Sequence, residues 1–266
     1  MKANFHTHTV FSDGKNTPEE TVLYAIENGM VSLGFSDHAL TEHDTRYCLQ
    51  DVSGYIREIK RLKQKYADKI QIYLGVEEDG TQLVNRSDFD YIIGSLHYIE
   101  FAGKYYPLDS NYEYFSECLK LFKGDAYALA EAYYTQFCAY LQARQPDLVG
   151  HFDLVCKFDE TEKGKYLHDE CYWALAEESV KKVLETGCIF EVNTGLMTRG
   201  YRTSPCPHER LLKLIAQNGG KVALSSDAHQ ADNVCARFTE TEQLLKNVGF
   251  DGVYFLYDGK WQKRKI

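Results

Sequence analysis

Eight short apolar runs punctuate this sequence, and amphipathic stretches fill the intervals between them. The runs read NFHTHT from residue 4, VSLGFSDH from 31, IQIYLGVE from 70, DYIIGSLH from 90, LVGHFD from 148, CIFEVNTG from 188, KVALSSDAH from 221 and GVYFLY from 252. Short runs of this kind between longer amphipathic segments predict βα units with parallel strands. Seven or eight such units favour a barrel over an open sheet. Helices are predicted from Thr17 to Gly29, from Ser53 through Ala67, from His168 to Gly187, over 207–220 and over 232–249. The first has Thr17 as N-cap, Pro18 in the first turn, Glu20 to complete a capping box and Gly29 as a stop. The Tyr-rich stretch from about 100 to 145 predicts two consecutive helices, inserted between strands and placed to act as a lid.

A chain of 266 residues, 44% hydrophobic and 26% charged, has the composition of a soluble globular protein with a sizeable core. Its net charge of −9 argues against a general nucleic-acid binder, which needs a basic face. Phosphate substrates stay open, because bound cations supply positive charge that the sequence does not count. The opening MKANFHTHTV is too polar for a secretory leader, and no run approaches the roughly 20 apolar residues of a membrane span. The eight cysteines form no C-x-x-C pair, so we expect reduced, mostly buried thiols in a cytoplasmic protein without a membrane partner.

Ionisable residues gather at the C-terminal ends of the runs. These are His6 and His8, Asp37 and His38, Glu77, His97, His151 and Asp153, Glu191, and Asp227 and His229. In a parallel barrel those ends share one face, where active sites are built. Six of the nine histidines stand there. A lone histidine of this kind is more often a hydrogen-bonded structural residue, but six at equivalent ends point to metal. Imidazole and carboxylate without thiolate suit zinc, iron or manganese. Six histidines with Asp13, Glu77 and Asp227 exceed the needs of one tetrahedral ion, so two or three are expected. Glu78 and Asp79 read as solvent or loop carboxylates, and Asp37, Asp153 and Glu191 as acceptors that orient ligands. A nucleophilic role for Ser225 or Ser226 is set aside, since their His and Asp neighbours are better explained as ligands. No phosphate-cradling glycine loop is present.

HTHTVFSDG at 6–14, GFSDHA at 34–39, GVE at 75–77, GSLH at 94–97, GHFD at 150–153, EVNTG at 191–195 and SSDAH at 225–229 together resemble the polymerase and histidinol phosphatase (PHP) family. The likeness spans almost the whole chain in the family's order, and it implies one domain over residues 1–266. It also implies a distorted (β/α)7 TIM-like barrel with a trinuclear metal site at the C-terminal ends of the strands. Carried over motif by motif, His6, His8, Glu77 and Asp227 would hold one ion. Glu77, His97 and His151 would hold a second, and Asp13, His38 and His229 a third. Part of the family places a histidine near the position of Asp13, which leaves that ligand the least anchored by resemblance.

The activity implied is hydrolysis of histidinol phosphate, a small phosphate ester of histidine biosynthesis, by metal-activated hydroxide. Asp227, Glu77 and His229 are the expected catalytic residues. Arg199 is the first choice for a phosphate contact, because its planar fork matches phosphate oxygens. Arg202 and Lys157 are rivals, since LMTRGYRTSPCPHERLL after EVNTG is longer than the family's usual segment. Glu42 and His43 are placed to meet the substrate's amine and imidazole or to assist the leaving alcohol. The main alternative is a phosphatase, phosphodiesterase or exonuclease of the same chemistry acting on another ester or on nucleic acid. The acidic balance and the absence of a following polymerase segment argue for the small substrate. A degenerate, non-catalytic module is disfavoured because all nine matched positions carry ligand-capable residues.

Overall fold

The structure, a computed structural model, describes residues 1–162 and 164–266. In chain order the first elements are β1 (Lys2–Asn4), α1 (Pro18–Glu27), β2 (Met30–Phe35), α2 (Val52–Lys65), β3 (Gln71–Asp79) and β4 (Tyr91–Ser95). Then come β5 (Tyr98–Phe101), β6 (Lys104–Pro107), α3 (Tyr112–Leu121), α4 (Ala126–Arg144), β7 (Leu148–Val149), α5 (Glu170–Leu184) and β8 (Ile189–Asn193). The rest are α6 (Gly195–Thr198), α7 (Glu209–Gln217), β9 (Lys221–Ser225), α8 (Phe238–Val248), β10 (Gly252–Tyr257) and β11 (Lys260–Lys265). The capping box is present: Thr17 Oγ1 accepts from the Glu20 N–H, and the Glu20 carboxylate accepts from the Thr17 N–H at 2.8 Å.

Seven strands make one parallel sheet in the order β1-β2-β3-β4-β7-β8-β9. The sheet curls until its edges meet. Just beyond β1 and β9, Thr7 and Ala228 form a parallel bridge, with His8 N–H to Ala228 O at 2.8 Å and Ala228 N–H to His6 O at 3.2 Å. Asn4 adds a side-chain staple, donating to Thr7 Oγ1 and Ser226 Oγ and accepting the Ser226 N–H. The result is the expected distorted barrel of seven strands. The eighth apolar run is not a barrel strand. It becomes β10, which pairs antiparallel with β11 and closes the end of the barrel opposite the His-rich strand ends. Phe255 and Leu256 are buried there with Phe5, Tyr73 and Tyr91, and Trp261 packs edge-on against Phe5.

Tyr91 fills the barrel's middle, its hydroxyl donating to Phe5 O and Phe35 O. Its ring lies so close to β3 that a Cβ at Gly75 would stand 2.1 Å from Tyr91 Cζ. The segment between β4 and β7 holds more than two helices. The hairpin β5–β6 comes first, turning through Ala102 and Gly103, both at positive φ. α4 then buries Leu129, Tyr133, Tyr134 and Phe137 against α5 and the barrel, as a crossover helix does. All eight cysteines are unpaired, and six are buried. Among the described residues no helix is long and apolar enough to cross a membrane.

Candidate metal centre

The strand ends bring the nine sequence-predicted ligands together. Glu77, at the centre, is fully buried. Its Oε1 lies 2.9 Å from His151 Nε2 and 3.3 Å from His97 Nε2. Its Oε2 lies 2.9 Å from His38 Nδ1, 3.2 Å from His6 Nε2 and 3.5 Å from His8 Nε2. Asp227 Oδ1 stands 3.2 Å from His8 Nε2 and 3.6 Å from both His6 Nε2 and His229 Nδ1. Asp13 Oδ2 is 3.2 Å from His229 Nε2 and 3.8 Å from His38 Nε2. Four overlapping groups could each hold an ion: His8, Asp13, His38 and His229; His6, Glu77 and His151; His6, His8 and Asp227; and His38, Glu77 and His97. Ligand atoms roughly 3.3 Å apart are what a tetrahedral ion with bonds of about 2.0–2.1 Å requires. His38 turns one nitrogen to Glu77 and the other towards Asp13, so it stands between two groups.

The donor set fits divalent cations. His6 Nε2, both nitrogens of His8, Glu77 Oε2 and His151 Nδ1 are buried without a hydrogen-bond partner among the described residues. Buried polar atoms left unpaired are costly, and here a cation would satisfy several at once. Charges already sense one another. Burial opposes protonation of His6, His38 and His97, yet nearby carboxylates outweigh it and raise all three: Glu191 for His6, and Glu77 for the other two. His8 goes the other way, to about 3, through burial and then repulsion from His229 and His38. Burial also works against charge on Glu77 and Asp227, but His6 for Glu77 and Arg199 for Asp227 lead the charges that hold them well below the usual range.

Outer residues hold these side chains in place. Glu191 accepts from Ser225 Oγ and the His151 N–H, and its Oε1 is 2.5 Å from His6 Nδ1. It is therefore an orienting acceptor, as its position predicts. Asp79, expected in solvent, is buried: Oδ2 accepts the His97 N–H at 2.7 Å and lies 3.1 Å from His97 Nδ1, while Oδ1 accepts from Thr81. Glu78, likewise expected outside, is buried and held by Tyr140 and Arg144. Three carboxylates in a row at a strand end looked like a charged loop. β3 instead continues through Asp79, so alternation sends Glu77 inward and Glu78 to the helix layer. Among the described residues the Asp37 carboxylate makes no hydrogen bond to a ligand histidine; it accepts from Thr9 N–H and Ser12 Oγ and so fixes the loop that carries Asp13. Gly14 permits that loop, since a Cβ there would meet His8 O at 2.4 Å. Asp227 sits at φ 48°, a strained setting for a non-glycine residue and one common at functional sites.

Residues 4–195 match the family model described as PHP domain. The chain belongs to the PHP domain family. A curated relative from Deinococcus radiodurans, named "Probable histidinol-phosphatase", is 30% identical, with 94% of this PHP chain and 95% of that one aligned. The solved structure of hisK from Listeria monocytogenes superposes with a TM-score of 0.80 at 22% identity, covering 90% of this chain and 99% of that one. Histidinol phosphate phosphatase from Lactococcus lactis, solved with zinc, L-histidinol and phosphate, superposes at 0.72 and 22% identity, covering 98% and 99%. These two structural likenesses establish the PHP fold.

Over the PHP centre opens a cavity of about 400 Å³. Of the predicted phosphate contacts, Arg199 and Lys157 line it. Arg199 Nη2 is 2.8 Å from Asp227 Oδ2, and its Nη1 donates to Asp227 O. Lys157 Nζ donates to Asp109 O and lies over the Tyr201 ring. Arg202 does not reach the cavity: it is buried and held by Asp153 Oδ2 at 3.1 Å and by Ser204. We therefore remove Arg202 from the phosphate contacts, and Asp153 serves that ion pair rather than a ligand. Glu42 is exposed with its N–H bonded to Gln82, and His43 is packed between Tyr98 and Tyr105. Neither lines the cavity. The lining residues Asp44, Tyr47, Tyr98, Asp109 and Tyr201 went unnoticed in the sequence. They come from loops and the β5–β6 excursion, which have no strand-end regularity to mark them.

Proposed function

We propose that this PHP protein hydrolyses L-histidinol phosphate to L-histidinol and inorganic phosphate. The observation that carries this is the cluster of nine ligand-capable side chains, seven of which line a small cavity, with Arg199 and Lys157 on its wall. The relatives' names supply the substrate, and the acidic net charge of −9 agrees with a small ester rather than a polynucleotide. The family model stops at residue 195, yet β9 delivers Asp227 and His229, so we take residues 1–266 as one domain.

Two or three ions of zinc, iron or manganese, held by His6, His8, Asp13, His38, Glu77, His97, His151, Asp227 and His229, would supply Lewis acidity, offsetting phosphate charge and making water acidic. Glu77 and Asp227 remain ionised and buried, so the floor is acceptor-rich and ready for cations. His229, the most exposed of the three histidines at Asp13, faces the cavity beside Arg199. Arg199 can present a guanidinium edge to phosphoryl oxygens while Asp227 fixes its orientation. Lys157 adds a second cation to the lining.

Phosphate release should be measured with metal-replete protein on L-histidinol phosphate, p-nitrophenyl phosphate, bis-p-nitrophenyl phosphate and a short single-stranded DNA. Preferred turnover of histidinol phosphate is expected. Cleavage of the diester or DNA without turnover of histidinol phosphate would overturn the substrate while keeping the metal chemistry.

A further inference from the structure

Five carboxylates line the cavity: Asp13, Glu77 and Asp227 of the metal centre, Asp44, and Asp109. Asp44 is saturated. Its oxygens accept from the Arg46 N–H, from Arg46 Nε and Nη2, and from the Tyr98 hydroxyl. Asp109 differs. Among the described residues no N–H or O–H group donates to its carboxylate. Lys157 Nζ is 3.5 Å from Asp109 Oδ2, and that ammonium donates instead to the Asp109 backbone carbonyl at 2.5 Å. The Asp109 side chain keeps a quarter of its surface accessible.

Its place is fixed relative to the metal centre. The neighbouring Leu108 is buried and donates its N–H to His97 O at 2.8 Å. Asp109 therefore stands at a set offset from a residue of the metal cluster, on the same cavity. Burial alone would raise its pKa, but Lys157 first, then His97 and His151, bring it below the ordinary value. The carboxylate is thus an anion with open lone pairs, in a cavity whose other free charges suit phosphate. A phosphoryl group at the floor leaves its alcohol pointing into the remaining space. An alcohol bearing an ammonium group would meet Asp109, whereas an uncharged alcohol would leave that carboxylate partly desolvated and unpaired.

We propose that Asp109 selects phosphate esters of amino alcohols, accepting the substrate ammonium while the phosphoryl group sits at the metal centre. This rests on the phosphomonoesterase reading above and adds the residue that recognises the leaving group.

The test compares L-histidinol phosphate with its des-amino analogue, 3-(imidazol-4-yl)propyl phosphate, in the metal-loaded wild type, Asp109→Asn and Asp109→Glu. Both esters share the phosphate, so effects relayed through Lys157 cancel in the ratio of their kcat/KM values. Asp109→Asn should lower that ratio on the order of 10- to 100-fold, the size of one charge-assisted hydrogen bond. Asp109→Glu should restore part of it. Calorimetry with L-histidinol alone should show the same order of affinities, and metal content with a thermal melt checks that each variant is folded and loaded. An equal fall for both esters would overturn the proposal and make Asp109 a support for Lys157. A wild type that hydrolyses the analogue as well as the histidinol ester would overturn it too. A wild type that hydrolyses neither would instead refute the functional reading on which it rests.

Discussion

Asp79→Asn probes the centre through a residue outside the nine candidate ligands. The Asp79 carboxylate is buried and takes backbone N–H groups at both ends: His97 at Oδ2, 2.7 Å, and Thr81 at Oδ1, 2.9 Å. An asparagine has nearly the same shape but one acceptor end. Whichever way the amide is turned, its NH2 faces a backbone N–H that cannot rotate away. One hydrogen bond to a charged group is lost, worth about 1.5–3 kcal/mol, and one N–H, buried at His97 or half-buried at Thr81, is left unpaired at about 1–3 kcal/mol. Together these should destabilise the metal-free fold by about 3–5 kcal/mol. His97 also loses the anion beside Nδ1, which helps keep Nε2 aimed at Glu77. Outer-sphere losses of this kind weaken metal affinity by about 10- to 100-fold. Chemical denaturation in excess chelator reads the first effect, and competition with a chromophoric chelator reads the second. A variant with wild-type denaturation midpoint and wild-type metal affinity would refute both the hydrogen-bond inventory and the aiming role.

Other outcomes follow from the same geometry. In chelator, the three raised histidines (His6, His38, His97) stabilise the fold below about pH 6.5 and lose that contribution as pH rises through their folded values. The depressed Glu77 contributes above its unfolded value near 4.5, while His8 opposes the three on the acid side. The melting temperature of stripped protein should therefore peak between about pH 4.5 and 6.5; with saturating zinc it should keep rising with pH, because ions displace those protons. Parallel profiles with and without metal would contradict this. Gly75→Ala should cost about 1–3 kcal/mol by denaturation, since its Cβ would stand 2.1 Å from the Tyr91 ring, and an unchanged midpoint would count against the packing described. Arg202→Met should cost about 3–5 kcal/mol by stranding Asp153 in the core; a mere rise in KM at full stability would return Arg202 to the phosphate site.

The barrel and its ligand face were legible because both are repetitive. Seven apolar runs became seven parallel strands, and the histidines and acids at their ends met as expected. Thr17, Pro18 and Glu20 announced their helix because capping is local chemistry. The eighth run, GVYFLY, misled because apolar character says that a strand is buried, not which partner buries it. Asp79 was misplaced because its neighbours were acidic, and only the length of β3 reveals which carboxylates turn inward. Arg199 and Arg202, three positions apart, look alike in sequence; Asp227 claims one and Asp153 the other. The cavity wall at Asp44, Tyr47 and Asp109 was invisible, since loop residues meet through tertiary packing that no period encodes.

The seam of the barrel sets a timetable. His6 and His8 leave the ribosome with the first strand, whereas Asp227 and His229 arrive after the last, and Asn4 meets Ser226 across 222 residues. At 5–20 residues per second the early histidines wait about 10–45 s for their partners. The two ligand groups that use Asp227 or His229 cannot be complete on the nascent chain before then, and a cation bound there would fasten the first strand to the last.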